Sequence, residues 1–201
     1  IKEGAITQDE VNTILANTKK IMDDAFQLSK QKSKWDGINI CNEEWKDYQH
    51  PKPVPQKPTG VSLDLLKQVG KGICQLPDWF TPHAGVKRML QQRAEMFESG
   101  QKLDWSAGEA LAIGTLLMEG KHVRISGQDA ERGTFSHRHA VLVDQVSEKR
   151  YCQLNNLAPT QPAKCHITNS HLSEFGVLGF DYGYSLQSPN NLVVWEGQFG
   201  D

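Results

Sequence analysis

No stretch of this 201-residue sequence is apolar for long enough to cross a bilayer. A spanning helix needs about 20 such residues, and the longest apolar runs resemble "ALAIGTLLM" at 110–118. Excess charge of one sign is missing too. Lys and Arg number 22 against 24 Asp and Glu, a formal net charge of −2. No global basic field therefore draws the chain to nucleic acid or to a membrane surface. The four cysteines (Cys41, Cys74, Cys152, Cys165) form no C-x-x-C pair and match no zinc spacing. At this length and density a disulfide framework is not expected, so they read as ordinary thiols of a reducing compartment. There is no G-x-G-x-x-G, P-loop or G-x-S-x-G, and no internal repeat. The first residues, "IKEGAITQDE", lack an apolar leader core, and Ile stands at position 1. The expectation is a processed or excised chain.

What is present is mostly helix, then alternating strand and helix. Residues 8–33 carry a helical stripe of Val11, Ile14, Leu15, Ile21, Met22 and Phe26, with Asp9 and Glu10 near the start. Residues 34–60 hold four prolines and two tryptophans with little periodicity, and read as a loop or extended arm lying on a surface. A short helix is expected over 62–77 with Ser62 as its N-cap, and an amphipathic one over 83–100 stopped by Gly100. A third runs over 104–120, capped by Asp104 and ended by Gly120. His83 reads as a cap or surface residue, and Lys87 and Arg88 as a solvated helix face. Strands are expected at 121–127, 164–170 and 190–198, with a further apolar element at 140–146 and a helix at 171–188. This alternation predicts an α/β fold with a mainly parallel sheet. The chain stops straight after a strand, where a crossover helix should follow. The sheet is therefore expected to be truncated.

Two stretches carry chemistry. In "ITNSHLSEFGVLGFDYGYS", Asn169, Ser170 and Ser173 suit a strand-to-helix turn, and Glu174 falls in the first turn of the helix. Ligands of open α/β sheets bind beside such turns. A carboxylate there either faces a ligand or merely complements the helix dipole. Gly176, Gly179 and Gly183 recur at i, i+3 and i+7 and leave one helical face bare. Glycine inside a helix costs about 1 kcal/mol relative to alanine, so the repetition points to close approach of another backbone or a cofactor. In "SGQDAERGTFSHRH", His137 and His139 would share a face on a strand. A zinc site needs a third ligand, and His122, Cys165 and His166 stand at no recognisable spacing. A charged loop at an active-site wall or a subunit contact is the better reading. Gly127 and Gly133 would let it turn, and Asp129, Glu131 and Arg132 could form structural ion pairs.

Residues 104–145 and 167–201, which hold "SHRHAV" and "NSHLSEFGVLGF", resemble a known family. It is the thiamine-diphosphate-dependent first components of 2-oxoglutarate dehydrogenase complexes. Residues 80–101 are similar more weakly. The 2-oxoadipate dehydrogenase components share much of the pattern, and a non-catalytic dimerisation or interaction module of the same fold is a rival reading. The resemblance implies a transketolase-like α/β fold. Residues 1–103 would be a helical lead-in and linker, and 104–201 the N-terminal part of the aminopyrimidine-binding domain. It implies that Glu174 engages the pyrimidine ring nitrogen and that Gln198, Phe199 and Leu172 line the ring's pocket. His137, Arg138 and His139 would form a substrate or interface loop. Thiamine diphosphate is implied as cofactor and electron sink, with magnesium held by ligands outside this chain and no metal site within it. Implied partners are a second copy in a homodimer, a lipoyl-bearing succinyltransferase, dihydrolipoamide dehydrogenase and a small 2-oxo acid, with no nucleic acid and no membrane. The setting would be the mitochondrial matrix, or the cytoplasm of a bacterium, and a piece alone would have little activity. Two residues depart from the family's pattern. His171 stands where serine is usual, and Gly197 where alanine is usual.

Overall fold

Helix-capping side chains, rather than propensity alone, set where the helices of this chain begin. The computed structural model describes residues 1, 4–31, 42–48 and 58–198. Its chain divides into two compact units, 1–40 and 41–201. In the first, helix α1 spans Gln8–Gln31. Thr7 and Glu10 form a reciprocal cap. The Glu10 N–H donates to the Thr7 hydroxyl at 3.2 Å, and the Thr7 N–H donates to the Glu10 carboxylate at 2.8 Å. None of its residues is buried, and the stripe of Ile14, Leu15, Ile21, Met22 and Phe26 is exposed.

The second unit begins with a single turn, α2, at Asn42–Trp45. Most of the proline-rich arm, with Trp35, lies outside the described residues. Trp45 behaves as its indole demands. Its Nε1 donates to the Leu186 carbonyl at 2.7 Å, and Tyr48 reaches Asn190 at 3.2 Å. Three helices follow: α3 (Leu63–Cys74), α4 (Ala84–Ser99) and α5 (Trp105–Met118). Ser62, His83 and Asp104 each cap one of them through a side-chain acceptor, and Gly100 ends α4 in the left-handed region. Helix α5 is apolar nearly all round, as a helix enclosed by protein must be.

Strands β1 (Val123–Gly127), β4 (Cys165–Asn169) and β5 (Leu192–Glu196) form a parallel sheet in the order β4-β1-β5. Between β1 and β4 a hairpin intervenes, β2 (Val141–Val143) with β3 (Arg150–Cys152), antiparallel and apart from the main sheet. The expected element at 140–146 is thus real but belongs to a different sheet. The register sorts the two faces. Val123 and Ile125 of β1, level with Cys165 and Ile167 of β4, join Val69, Ile73, Leu111 and Leu117 in one core. The alternate residues Arg124 and Ser126 point to the opposite side. There they hydrogen-bond Asp181 of helix α6 (Glu174–Ser185). The sheet therefore lies between α3–α5 and α6. A second cluster holds Phe80, Leu90 and Leu142, extended by edge-on contacts among Trp79, Phe80 and Tyr151. Asp144 staples that region. It is 1% exposed and accepts from the N–H groups of Thr81, Val146 and Ser147 and from the Ser147 hydroxyl. Those donors, the Thr81 N–H first, hold its pKa down at about 2. Among the described residues no helix is long and apolar enough to cross a membrane.

Candidate functional site

The carboxyl ends of β1, β4 and β5 converge on the loop at 128–140 and on the head of α6. Ser173 caps α6 by accepting from the Gly176 N–H at 3.2 Å. Glu174, the next residue, is 2% exposed. One carboxylate oxygen accepts from the Trp195 indole N–H at 3.0 Å, the other from the Gln198 backbone N–H at 2.7 Å. A charge needed only to complement a helix dipole would be left in solvent. This one is enclosed and held by two donors from β5 and the residues after it.

Gln198 also lines a cavity of about 470 Å³, together with Trp105, Thr134, Phe135, His137, Glu196 and Gly197. The volume is that of a small-molecule site. Trp105 and Phe135 are 83% and 88% exposed and offer ring surface to it. Leu172, at the turn before α6, is half-exposed, and His171 is exposed beside it. Phe199 lies outside the described residues.

The H-R-H stretch is a loop, not a strand. His137 and His139 therefore do not share a strand face. His137 lines the large cavity, whereas His139, at φ +45°, faces a small gap beside Arg93 and Gln153. The loop's shape comes from two buried arginines. Arg93 of α4 donates to the carbonyls of His137 at 2.6 Å and Arg138 at 3.0 Å, and to the Ser106 hydroxyl. Arg138, 6% exposed, donates to both oxygens of Glu109 at 2.6 and 2.9 Å, to the Ala130 carbonyl at 2.7 Å, and to Glu196. Burial pulls its pKa down, but the bonds to Glu109 and Glu196 outweigh that and the net shift is upward. Burial, then the charges of Arg93 and Arg132, lower the pKa of His139. The expected ion pairs form as Arg132–Asp129 and Arg150–Glu131.

Gly133 takes φ +81°, and a Cβ there would run into the His137 imidazole. Gly127 is different. It stays in β1, where a Cβ would meet the Glu196 carbonyl at 2.6 Å. Among the described residues, a Cβ at Gly179 or Gly183 of α6 would meet nothing within 4 Å. His137, Glu109 and Glu196 bring donor atoms within 4.8 Å of one another, the one such group of three among the described residues. Arg138 already bridges the two carboxylates, so the positive charge that the group calls for is supplied by the protein.

Residues 101–201 match the family model for the transketolase pyrimidine-binding domain, and the chain belongs to that family. Its relatives narrow the class. The chain is 49% identical over its whole length to a protein of Schizosaccharomyces pombe named "2-oxoglutarate dehydrogenase, mitochondrial". It is 42% identical to the Saccharomyces cerevisiae protein of the same name. It is 41% identical to a Brucella canis protein named "2-oxoglutarate dehydrogenase E1 component". In each case it spans 20% of the relative's length.

Proposed function

We propose that this chain is the part of a 2-oxoglutarate dehydrogenase first component that grips the aminopyrimidine end of thiamine diphosphate. Residues 104–201 are the N-terminal part of that domain, and 1–103 lead into it. The observation that carries the reading is Glu174. It is an enclosed carboxylate at the head of α6, beside the carboxyl ends of parallel strands, in a chain of the transketolase pyrimidine-binding family.

The residues fit an aminopyrimidine. Glu174 stands behind Gln198, its backbone donor, which lines a cavity whose wall, with Trp105 and Phe135, suits a flat ring. When bound, thiamine diphosphate supplies the carbanion that attacks the keto carbon and the electron sink that lets carbon dioxide leave. Glu174 holds the proton at the ring nitrogen and so selects the ring's tautomer. Gln198, Leu172 and Phe199 flank the ring and exclude water. His137, on the cavity wall, orients the substrate carboxylate or the incoming lipoyl group, and Arg138 fixes the loop that carries it, while His139 faces the small gap beside Arg93. Magnesium binds through residues outside this chain.

The site is completed by a second copy of the polypeptide, which covers the bare face of α6. That face also presents Phe175, Phe180 and Tyr182, which are 80%, 56% and 66% exposed. The lipoyl-bearing succinyltransferase receives the four-carbon product, and dihydrolipoamide dehydrogenase reoxidises the lipoyl group. The compartment is the mitochondrial matrix or the bacterial cytoplasm.

Glu174→Gln in the full-length polypeptide tests the reading. Carbon dioxide release from 2-oxoglutarate should fall by about two to four orders of magnitude, the usual weight of a general acid–base group. Release at the unaltered rate would remove Glu174 from the reaction. Parallel assays with 2-oxoadipate separate the two substrate classes.

A further inference from the structure

The carboxylate of Glu174 does not hold itself in place. It projects from the first turn of α6, yet two of its donors come from across the sheet, through Trp195 and Gln198. Tryptophan has one hydrogen-bonding group, a donor only. An indole N–H within a parallel sheet normally finds a backbone carbonyl or water. Here it is spent on a buried anion at 3.0 Å.

The strand makes this possible. Trp195 is level with Ser126 of β1, whose hydroxyl donates to Asp181 two turns further along α6. Alternate residues of a strand share a face, so neighbouring strands both direct donors at the same helix. The pose of the indole depends in turn on Gly197. A Cβ at that position would lie 3.2 and 3.3 Å from two carbons of the six-membered ring. Gly197 also lines the large cavity, so the space that admits the indole borders the proposed ligand site.

We propose that Trp195 is a positioning residue for Glu174, its indole N–H and the Gln198 backbone N–H fixing the two carboxylate oxygens in the single orientation that the cofactor ring requires. The inference rests on the reading of Glu174 given above. Each carboxylate oxygen accepts about two hydrogen bonds. Trp195 donates to one of them and Gln198 to the other. The pairing has an electrostatic consequence as well. A buried carboxylate that loses a donor holds its proton more tightly. Without the indole N–H the group would protonate at higher pH and present an O–H in place of one anionic oxygen.

Trp195→Phe in the full-length enzyme should therefore move the acid limb of the kcat profile upward by about one pH unit. It should lower kcat about tenfold at neutral pH and leave KM for the oxo acid nearly unchanged. Replacement of Trp195 by 3-benzothienylalanine keeps the ring shape and removes only the N–H, so the same shift in that variant excludes a folding or packing cause. An unmoved acid limb with normal kcat in both variants would overturn the inference while leaving Glu174 untouched.

A second measurement needs no turnover. The ¹H–¹⁵N spectrum of the chain should show five indole cross-peaks, one per tryptophan. Glu174→Gln should shift the Trp195 peak well beyond the others. No selective shift would overturn the inference whatever the kinetics show. A selective shift together with full activity of Glu174→Gln would instead overturn the proposed function and leave the hydrogen bond standing.

Discussion

Replacing Arg138 by methionine tests how the loop at 128–140 is held. The guanidinium is 6% exposed and joins three separate elements: Glu109 on α5, Glu196 on β5 and the Ala130 carbonyl in the loop. Methionine fills much of the volume but donates nothing. It would leave two carboxylates facing each other across the vacated position with no cation between them. Removing one partner of a buried ion pair costs about 3–5 kcal/mol. The carboxylate side chains retain 23% and 27% exposure, so water reaches them and the lower end applies. The lost bond to Ala130 adds about 1 kcal/mol. The sum is about 4 kcal/mol. For a domain of this size each kcal/mol lowers Tm by about 2–4 °C, so the melt should fall by about 8–16 °C. Far-UV circular dichroism against temperature, with urea unfolding as a check, reads this directly. Arg138→Lys should recover part of the loss, since it restores charge without the planar fork. Adding Glu109→Gln to Arg138→Met should also recover part, by removing an unpaired charge. A change below about 1 kcal/mol for Arg138→Met alone would refute the reasoning, because the triad would then behave as an exposed pair.

Two further outcomes follow from groups outside the site. Asp144 has its pKa lowered to about 2, so its stabilising effect is complete above the ordinary aspartate value near 3.8 and disappears as pH falls from there toward 2. Asp144→Asn should lower the urea midpoint at pH 7 and flatten the pH dependence of stability across that window; an acid limb of unaltered steepness would contradict it. Burial raises the thiol pKa of Cys74 to about 11 and raises those of Cys152 and Cys165. Cys165, which is buried, should alkylate slowly with iodoacetamide at pH 8 in the folded chain and fast in urea, and fast labelling of it when folded would show that it is not enclosed.

The outline of the second unit was legible because its helices carry their own punctuation. Ser62, Asp104 and Gly100 each act where capping chemistry predicts, and the stretches around Val123, Ile167 and Val193 pair as strands. Strand β3 was not legible. "RYC" is three residues, too few for a period to show. Arg93 was missed although a signal existed. It lies at i+3 from Leu90 and i−4 from Phe97, on the buried stripe of α4. A charged residue on such a stripe asks for partners, and the loop carbonyls at 137 and 138 are those partners. The H-x-H alternation allowed a shared strand face, but the preferred reading of a charged loop is the one that stands, with Gly133 and the two arginines bending the segment. Position alone left Glu174 open between facing a ligand and complementing the helix dipole, and only the family resemblance favoured the first. Its donor Trp195 did not stand out, since nothing in an apolar strand says which tryptophan turns its N–H toward an anion.

The order of strands in the sheet has a kinetic meaning. Val123 of the central strand pairs with Cys165 on one side and Leu192 on the other, separations of 42 and 69 residues by subtraction. Both edges of β1 therefore stay open until chain well beyond it has been made. Helices α3, α4 and α5 can associate before that, because their contacts are local. The sheet must wait for loop closures that are entropically slow. Since Glu174, Trp195 and Gln198 all lie beyond β4, the candidate site is assembled late. A translating ribosome would release a packed helical cluster first, with β1 waiting beside it for partners, and the candidate site only after residue 198 has cleared the exit.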